Sequence, residues 1–278
     1  MSFPLKPSMW SPGFQPGHPL ANGLVCGLGI WRGHLRDLSL HGNDGTLTGG
    51  ASYTTDEYGD AVAIGRDAGH YIDCGSDAST DLTGDLSAVV IASVTTAIND
   101  AEFRYLDLFA KRSVYSTGYG IHIYETEPQS RLEAWVRGSA FKVACVYIGD
   151  DGADMPLNEP QQFAMTRRGG SLRLYWNGVE VVSIADAVDP SNLGGMPLRI
   201  GDDNGNAKSW GGDVGQFLLY NRELSAGEIA ELYADPWGLI TQRRREYFYA
   251  AASPIVVSGF ARSKINSSLA GGRGRLIA

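Results

Sequence analysis

The first residues with a spacing suited to chemistry are Glu125 and Glu127. At i and i+2 they share one face of any strand that holds both, and a retaining glycosidase pair needs carboxyl groups ~5 Å apart. Pro128 follows at once and no acidic run accompanies them, so they are expected to be solvated strand-end charges, with no catalytic residue assigned. The histidines His18, His34, His41, His70 and His122 are scattered. No HExxH helix, Gly-x-Ser-x-Gly elbow or phosphate loop is present. Cys26, Cys74 and Cys145 are odd in number, far apart and without metal-ligand spacing, and are expected as buried free thiols. The expectation is a protein that is not an enzyme and requires no cofactor.

Binding chemistry is better represented. Trp210 stands in a polar, Gly-rich turn near Asp202, Asp203 and Asn204. An indole face packs on a pyranose while oxygens meet its hydroxyls, so these four form a candidate glycan site; the alternative is that Trp210 plugs the end of the fold. Arg243, Arg244 and Arg245 precede Tyr247, Phe248 and Tyr249. Guanidinium groups suit bidentate contact with carboxylates, and Arg with aromatics is the composition of an interface anchor, so this cluster is a candidate assembly site. Charge supports that division. The net charge is −8, but from Thr241 onward there are seven basic residues and one acid, leaving −14 for the remainder. A basic tail on an acidic body fits an acidic protein face better than nucleic acid.

The elements that must hold these residues read as β-structure. In Ser171–Ile184, SLRLYWNGVEVVSI, two apolar runs flank Asn177-Gly178, the dipeptide of a type I′ hairpin. A two-residue loop pairs Trp176 with Val179, Leu174 with Val181 and Leu172 with Ser183, which puts Leu172, Leu174, Trp176, Val179 and Val181 on one face and Tyr175 on the other. Further short strands are expected at 61–64, 71–74, 86–94, 105–111, 119–124, 131–136, 141–148, 162–167, 198–201 and 214–220, separated by Gly, Asp and Asn turns. One helix is marked by the capping box Ser225…Glu228, an apolar face at Ile229, Leu232 and Tyr233, and a stop at Asp235-Pro236. The fold class is all-β, a two-sheet antiparallel sandwich with one short helix. Residues 1–23 hold five prolines without periodicity and read as an arm lying on the body or on a neighbour. The expected organisation is an arm over 1–23, a domain over 24–240 and a basic arm over 241–278. No apolar run approaches the ~18 residues of a membrane helix, and the N-terminus lacks the apolar core of a signal peptide. A reducing cytoplasm is therefore expected for folding.

Four strings in order, QQFAMTR…LRLYWNG at 162–178, LRIGD at 198–202, WGGDVGQFLLYN at 210–221 and LSAGEIAELY at 224–233, resemble the C-terminal half of laminin-G-like, concanavalin A-like jelly rolls. Trp31, the segment from Asp37 to Leu47, and Gly59–Ile64 with Tyr71–Asp73 resemble the N-terminal half more loosely. The resemblance implies two stacked antiparallel sheets, and fixes fold more firmly than function. It also implies a calcium site between the Asp37 turn, near Asn43, and a late-strand carboxylate. Gly215 stands where that carboxylate belongs, which weakens the site because calcium wants 6–8 oxygens. The glucanases of this architecture carry a Glu-x-Asp-x-Glu run that is missing here. The flanks, PLKP…HPL and ADPWGL…RRR-x-YF, resemble laminin-G-like proteins of tailed phages. That likeness implies a virion structural, decoration or adhesion protein, assembled in the host cytoplasm, with other virion proteins or further copies of itself as partners and surface glycans as possible ligands. A lectin-like glycan-binding module and, more remotely, a glycoside hydrolase are the alternatives.

Overall fold

Among the described residues, β-branched and aromatic side chains in short runs between Gly and Asp turns build mainly extended structure. The computed structural model describes residues 12–56, 59–66, 69–95, 104–112, 117–125, 131–138, 142–148, 156–185, 188–191, 193–203 and 209–242. In chain order the strands are β1 (Pro12–Phe14), β2 (Leu24–Trp31), β3 (His34–Asp37), β4 (Thr46–Thr48), β5 (Ser52–Asp56), β6 (Gly59–Ile64), β7 (Tyr71–Asp73), β8 (Leu86–Val94) and β9 (Arg104–Arg112). They continue as β10 (Gly118–Glu125), β11 (Arg131–Arg137), β12 (Lys142–Ile148), β13 (Gln161–Arg168), β14 (Ser171–Trp176), β15 (Val179–Ala185), β16 (Leu198–Ile200), β17 (Gly212–Tyr220) and β18 (Ile240–Gln242). The helix α1 spans Ala226–Ala234, with Ser225 as its cap and the reciprocal Ser225–Glu228 capping box in place.

Among the described residues these strands form two antiparallel sheets and a terminal ribbon. The seven-stranded sheet runs β12-β11-β10-β9-β16-β7-β4, and the nine-stranded sheet runs β15-β14-β13-β8-β17-β2-β3, with β6 on β17 and β5 on β6. This is the jelly-roll sandwich. Between the sheets lies the main core, with Leu28, Val90, Phe109, Ile121, Phe163, Leu174 and Phe217 all buried. A second apolar cluster covers the opposite face of the nine-stranded sheet. There Ile229 and Leu232 of α1 meet Leu20, Trp31, Tyr175, Tyr220, Trp237 and Ile240. Having both faces covered is why β2 and β8 are buried at every position.

The hairpin differs from its expected register. Trp176 pairs with Val179 across Asn177 (φ 50°) and Gly178 (φ 79°) as the turn dictates, but a bulge after Tyr175 and Glu180 then pairs Leu174 with Val182 and Leu172 with Ile184. Two residues opposing one carries Val181 past its expected partner. Val179 is 64% exposed and Trp176 only half-buried, whereas Tyr175 is buried in the second cluster. Alternation had sent Tyr175 to water; the helix side covers it instead.

The terminal segments also differ from a clean division at 24 and 240. β1 pairs with β18 in the register Pro12↔Gln242, Gly13↔Thr241 and Phe14↔Ile240. Leu20 is buried in the second cluster. Residues 12–23 therefore lie on the protein's own body.

Candidate functional site

The two outer faces of the sandwich differ sharply. One is closed by the chain's own helix and ribbon. The other, on the seven-stranded sheet, carries side chains suited to recognition, set in rows by the register. Tyr105 on β9, Tyr124 on β10 and Arg131 on β11 are cross-strand neighbours in one row. Asp107, His122 and Glu133 form the next. Ala110, Gly120 and Trp135 form the third, on the far side of a β9 bulge at Leu108. Period-2 alternation puts all nine on the face away from the core, where their strand neighbours Leu106, Ile121, Ile123, Leu132 and Ala134 are buried.

His122 is the centre of the middle row. Its Nδ1 lies 3.3 Å from Asp107 Oδ1, and its Nε2 lies 3.1 Å from Glu133 Oε2. All three side chains are almost fully buried. The ring also takes the Tyr105 ring edge-on at 4.7 Å, while Tyr105 stacks on Tyr124 at 4.6 Å with 24° between the planes. Tyr105 keeps 37% of its surface exposed. Partial burial, and next the neighbouring Tyr124, raise its phenol above the ordinary tyrosine value, so it stays a neutral hydroxyl.

Trp135 lies across β10 where Gly120 leaves room: a Cβ there would stand 2.9 Å from the indole. Arg112 sits 5.9 Å above the Trp135 ring and pairs with Asp203 at 2.7 Å. Arg199 stacks 4.1 Å over Tyr71 and lies 3.6 Å from Asp202.

These contacts decide what the expected glycan residues do. Asp202 and Asp203 are buried, facing Arg199 and Arg112, and Asp202 Oδ2 also accepts from Gly69 N and Ser209 Oγ. Trp210 is fully buried, donates its indole N–H to the Ser93 carbonyl at 2.9 Å and packs edge-on against Phe163. Its ring faces are therefore not offered to a sugar, and it plugs the sandwich. Asn204 lies outside the described residues, as do Glu127 and the basic cluster Arg243, Arg244, Arg245, Tyr247 and Phe248.

The expected calcium residues form a hydrogen-bonded loop closure. Asp37 Oδ1 accepts from Gly27 N and Ser39 N, and Oδ2 accepts from Ser39 Oγ and Asn43 N, at 2.7–2.9 Å. Asn43 Nδ2 donates to the Val25 carbonyl and to Ser79 Oγ. Both carboxylate oxygens of Asp37 are thus occupied by donors, which leaves Asn43 Oδ1, buried without a hydrogen-bond partner, far short of the 6–8 oxygens a calcium ion takes. Gly215 sits at a bulge of β17 against β8, with β2 between β17 and the Asp37 strand. Among the described residues no group of three or more His, Cys, Asp or Glu is placed to hold a metal ion.

Asp107, His122 and Glu133 were invisible as a group in the sequence. Each alternates with core residues in YLDLF, YGIHIY and RLEAW, but only the register across three strands brings them level.

Residues 95–230 match the family model described as the concanavalin A-like lectin/glucanases superfamily, of laminin-G type. No curated protein sequence matches the chain. Among solved structures, the binding domain of Paraclostridial mosquitocidal protein 1 is similar at a TM-score of 0.61 and 16% identity, over 79% of this chain and 53% of that one. The binding domain of botulinum neurotoxin DC, in complex with SialylT, gives 0.61 and 10%, over 77% and 52%. Domain 4 of AbnA, a family 43 extracellular arabinanase from Geobacillus stearothermophilus, in complex with arabinotriose, gives 0.56 and 16%, over 76% and 98%. This chain thus spans about half the length of the toxin domains and nearly all of the arabinanase domain. At such identities what is shared is the fold, a lectin-like jelly roll.

Proposed function

We propose that this protein is a non-enzymatic adhesion module, a jelly roll that binds a surface glycan, and that it serves on a tailed-phage particle. The observation that carries the reading is the contrast between the outer faces: one closed by apolar packing under α1, the other bearing Tyr105, Tyr124, Trp135 and the Asp107–His122–Glu133 row. Of these side chains Tyr105 keeps 37% of its surface exposed and Tyr124 is half-buried, which puts aromatic rings within reach of a ligand. Solved relatives captured with arabinotriose and SialylT lend the same fold to sugar recognition. Hydrolysis is disfavoured by geometry. A glycosidase pair faces across the space where a sugar and, in inverting enzymes, a water must sit; here the imidazole of His122 occupies the space between Asp107 and Glu133.

The virion role rests on the resemblance of the flanking segments and on the basic, aromatic composition after Thr241. In that role the terminal segments fix the protein to the particle. The test is twofold: a glycan array probed with the purified chain, and labelling of purified particles with an antibody against it. Binding to defined glycans without turnover, together with particle labelling, is expected. Release of reducing sugar from a bound glycan would overturn the non-enzymatic reading, and unlabelled particles the virion one.

A further inference from the structure

We infer that the glycan, on the reading above, is seated at the Tyr105–Tyr124–Arg131 row, with a pyranose ring packed on Tyr105. This row is the accessible rim of the face. Tyr105 is 37% exposed, Tyr124 is half-buried and Arg131 is exposed, whereas His122, Asp107, Glu133 and Trp135 behind them are each at most 8% exposed. A ligand arriving from solvent meets the row of rings and guanidinium first.

The occupant follows from the chemistry of that row. A pyranose has an apolar C–H face and a hydroxylated edge. Stacked Tyr105 and Tyr124 supply an apolar platform, and Arg131, the cross-strand neighbour of Tyr124, supplies planar donors for oxygens. The size of the patch argues the same way. A protein partner requires roughly 800 Å² per side, while among the described residues this row is two rings and one guanidinium wide, which matches a sugar unit.

The buried row gives the platform its rigidity. His122 meets Tyr105 edge-on and is itself hydrogen-bonded through Nε2 to Glu133, with Asp107 Oδ1 3.3 Å from Nδ1. Preorganisation lowers the ordering cost of binding. His122, Asp107 and Glu133 are thus positioning residues, and Tyr105 is the contact.

The experiment starts from glycans that the wild-type chain retains on an array of neutral and sialylated oligosaccharides, titrated by calorimetry. Tyr105→Ala should weaken binding by about tenfold or more, the loss expected when a stacked apolar contact is removed. Tyr105→Phe should keep it, and so should Tyr53→Ala, which alters another exposed tyrosine, on β5 of the other sheet. Should Tyr105→Ala fail to fold, nitration of the wild-type chain decides, with bound glycan expected to protect Tyr105. Unchanged affinity in Tyr105→Ala, or equal nitration with and without glycan, would overturn this seat while leaving glycan binding standing. Retention of no glycan by the wild-type chain would overturn both.

Discussion

Lys111 Nζ lies 2.8 Å from Asp81 Oδ1, and the lysine side chain is wholly buried. The same ammonium donates to Thr80 Oγ1 and to the Met196 carbonyl, and Tyr119 donates its hydroxyl to the Thr80 carbonyl. A buried cation with three acceptors ties the 78–81 turn and the segment before β16 to the middle of the seven-stranded sheet. Lys111→Ala should destabilise the protein by ~3–5 kcal/mol, as removing one partner of a buried pair does. Lys111→Met, which fills the volume without the charge, should cost less. A urea midpoint unchanged in Lys111→Ala would mean that the ammonium is not buried as described.

Two tryptophans should separate in the same assay. Trp210 is fully buried and loses a hydrogen bond to Ser93 on truncation, so Trp210→Ala should cost ~3–5 kcal/mol. Trp176 is half-buried beside Tyr147, with its indole on Gln161. Its truncation should cost about half as much. Equal losses would contradict the difference in burial.

Calcium should not matter to this fold. Since Asp37 spends both oxygens on N–H and O–H donors, chelation should leave the thermal midpoint unchanged. Calorimetric titration should give no sub-micromolar binding. Asp37→Ala, by contrast, strands several donors and should destabilise by a few kcal/mol, with ~1–3 for each buried group left unpaired. A midpoint that rises on adding calcium would sink this account.

These cases show what the sequence made legible. The strands from β6 to β17, the Asn177-Gly178 turn and the Ser225 cap are written in local patterns and form where expected, whereas β1 to β5 and β18 were not among the expected strands. What escaped depends on contacts between distant segments. Tyr175 looked outward because alternation says nothing of a helix arriving on the far side. Trp210 stood between two readings, sugar platform or plug of the sandwich, because a polar loop does not reveal that its ring turns inward to Ser93. Asp107, His122 and Glu133 come from three strands, and register alone aligns them.

The Ser225 cap yields a pH prediction. Arg222 pairs with Glu228 through both guanidinium nitrogens, and with the Ser225 bonds this holds the Glu228 carboxyl below its ordinary value. A depressed carboxylate contributes stability above the unfolded value of about 4.3 and loses it as pH falls through the lower folded one. The group is half-buried and still open to solvent screening, so the effect should stay under ~1 kcal/mol. Glu228→Gln should therefore lower the midpoint slightly at pH 7 and converge on wild type as pH falls below the depressed folded value. A constant gap across that range would refute the linkage.

The terminal ribbon gives the sharpest test of domain limits. Pairing of β1 with β18, and burial of Leu20 against the cluster of Trp31, Trp237 and Ile240, make residues 12–23 part of the folded body. A chain cut to residues 12–242 keeps this cluster closed and should unfold cooperatively with a midpoint near that of the full chain. A chain cut to 24–242 bares the apolar side chains that Leu20 covers. Burying one such residue is worth ~1.5–3 kcal/mol, so it should lose at least that much and show a raised tendency to associate. If the shorter chain proved as stable as the longer, the ribbon would be an ornament on the sandwich, and the boundary would return to residue 24.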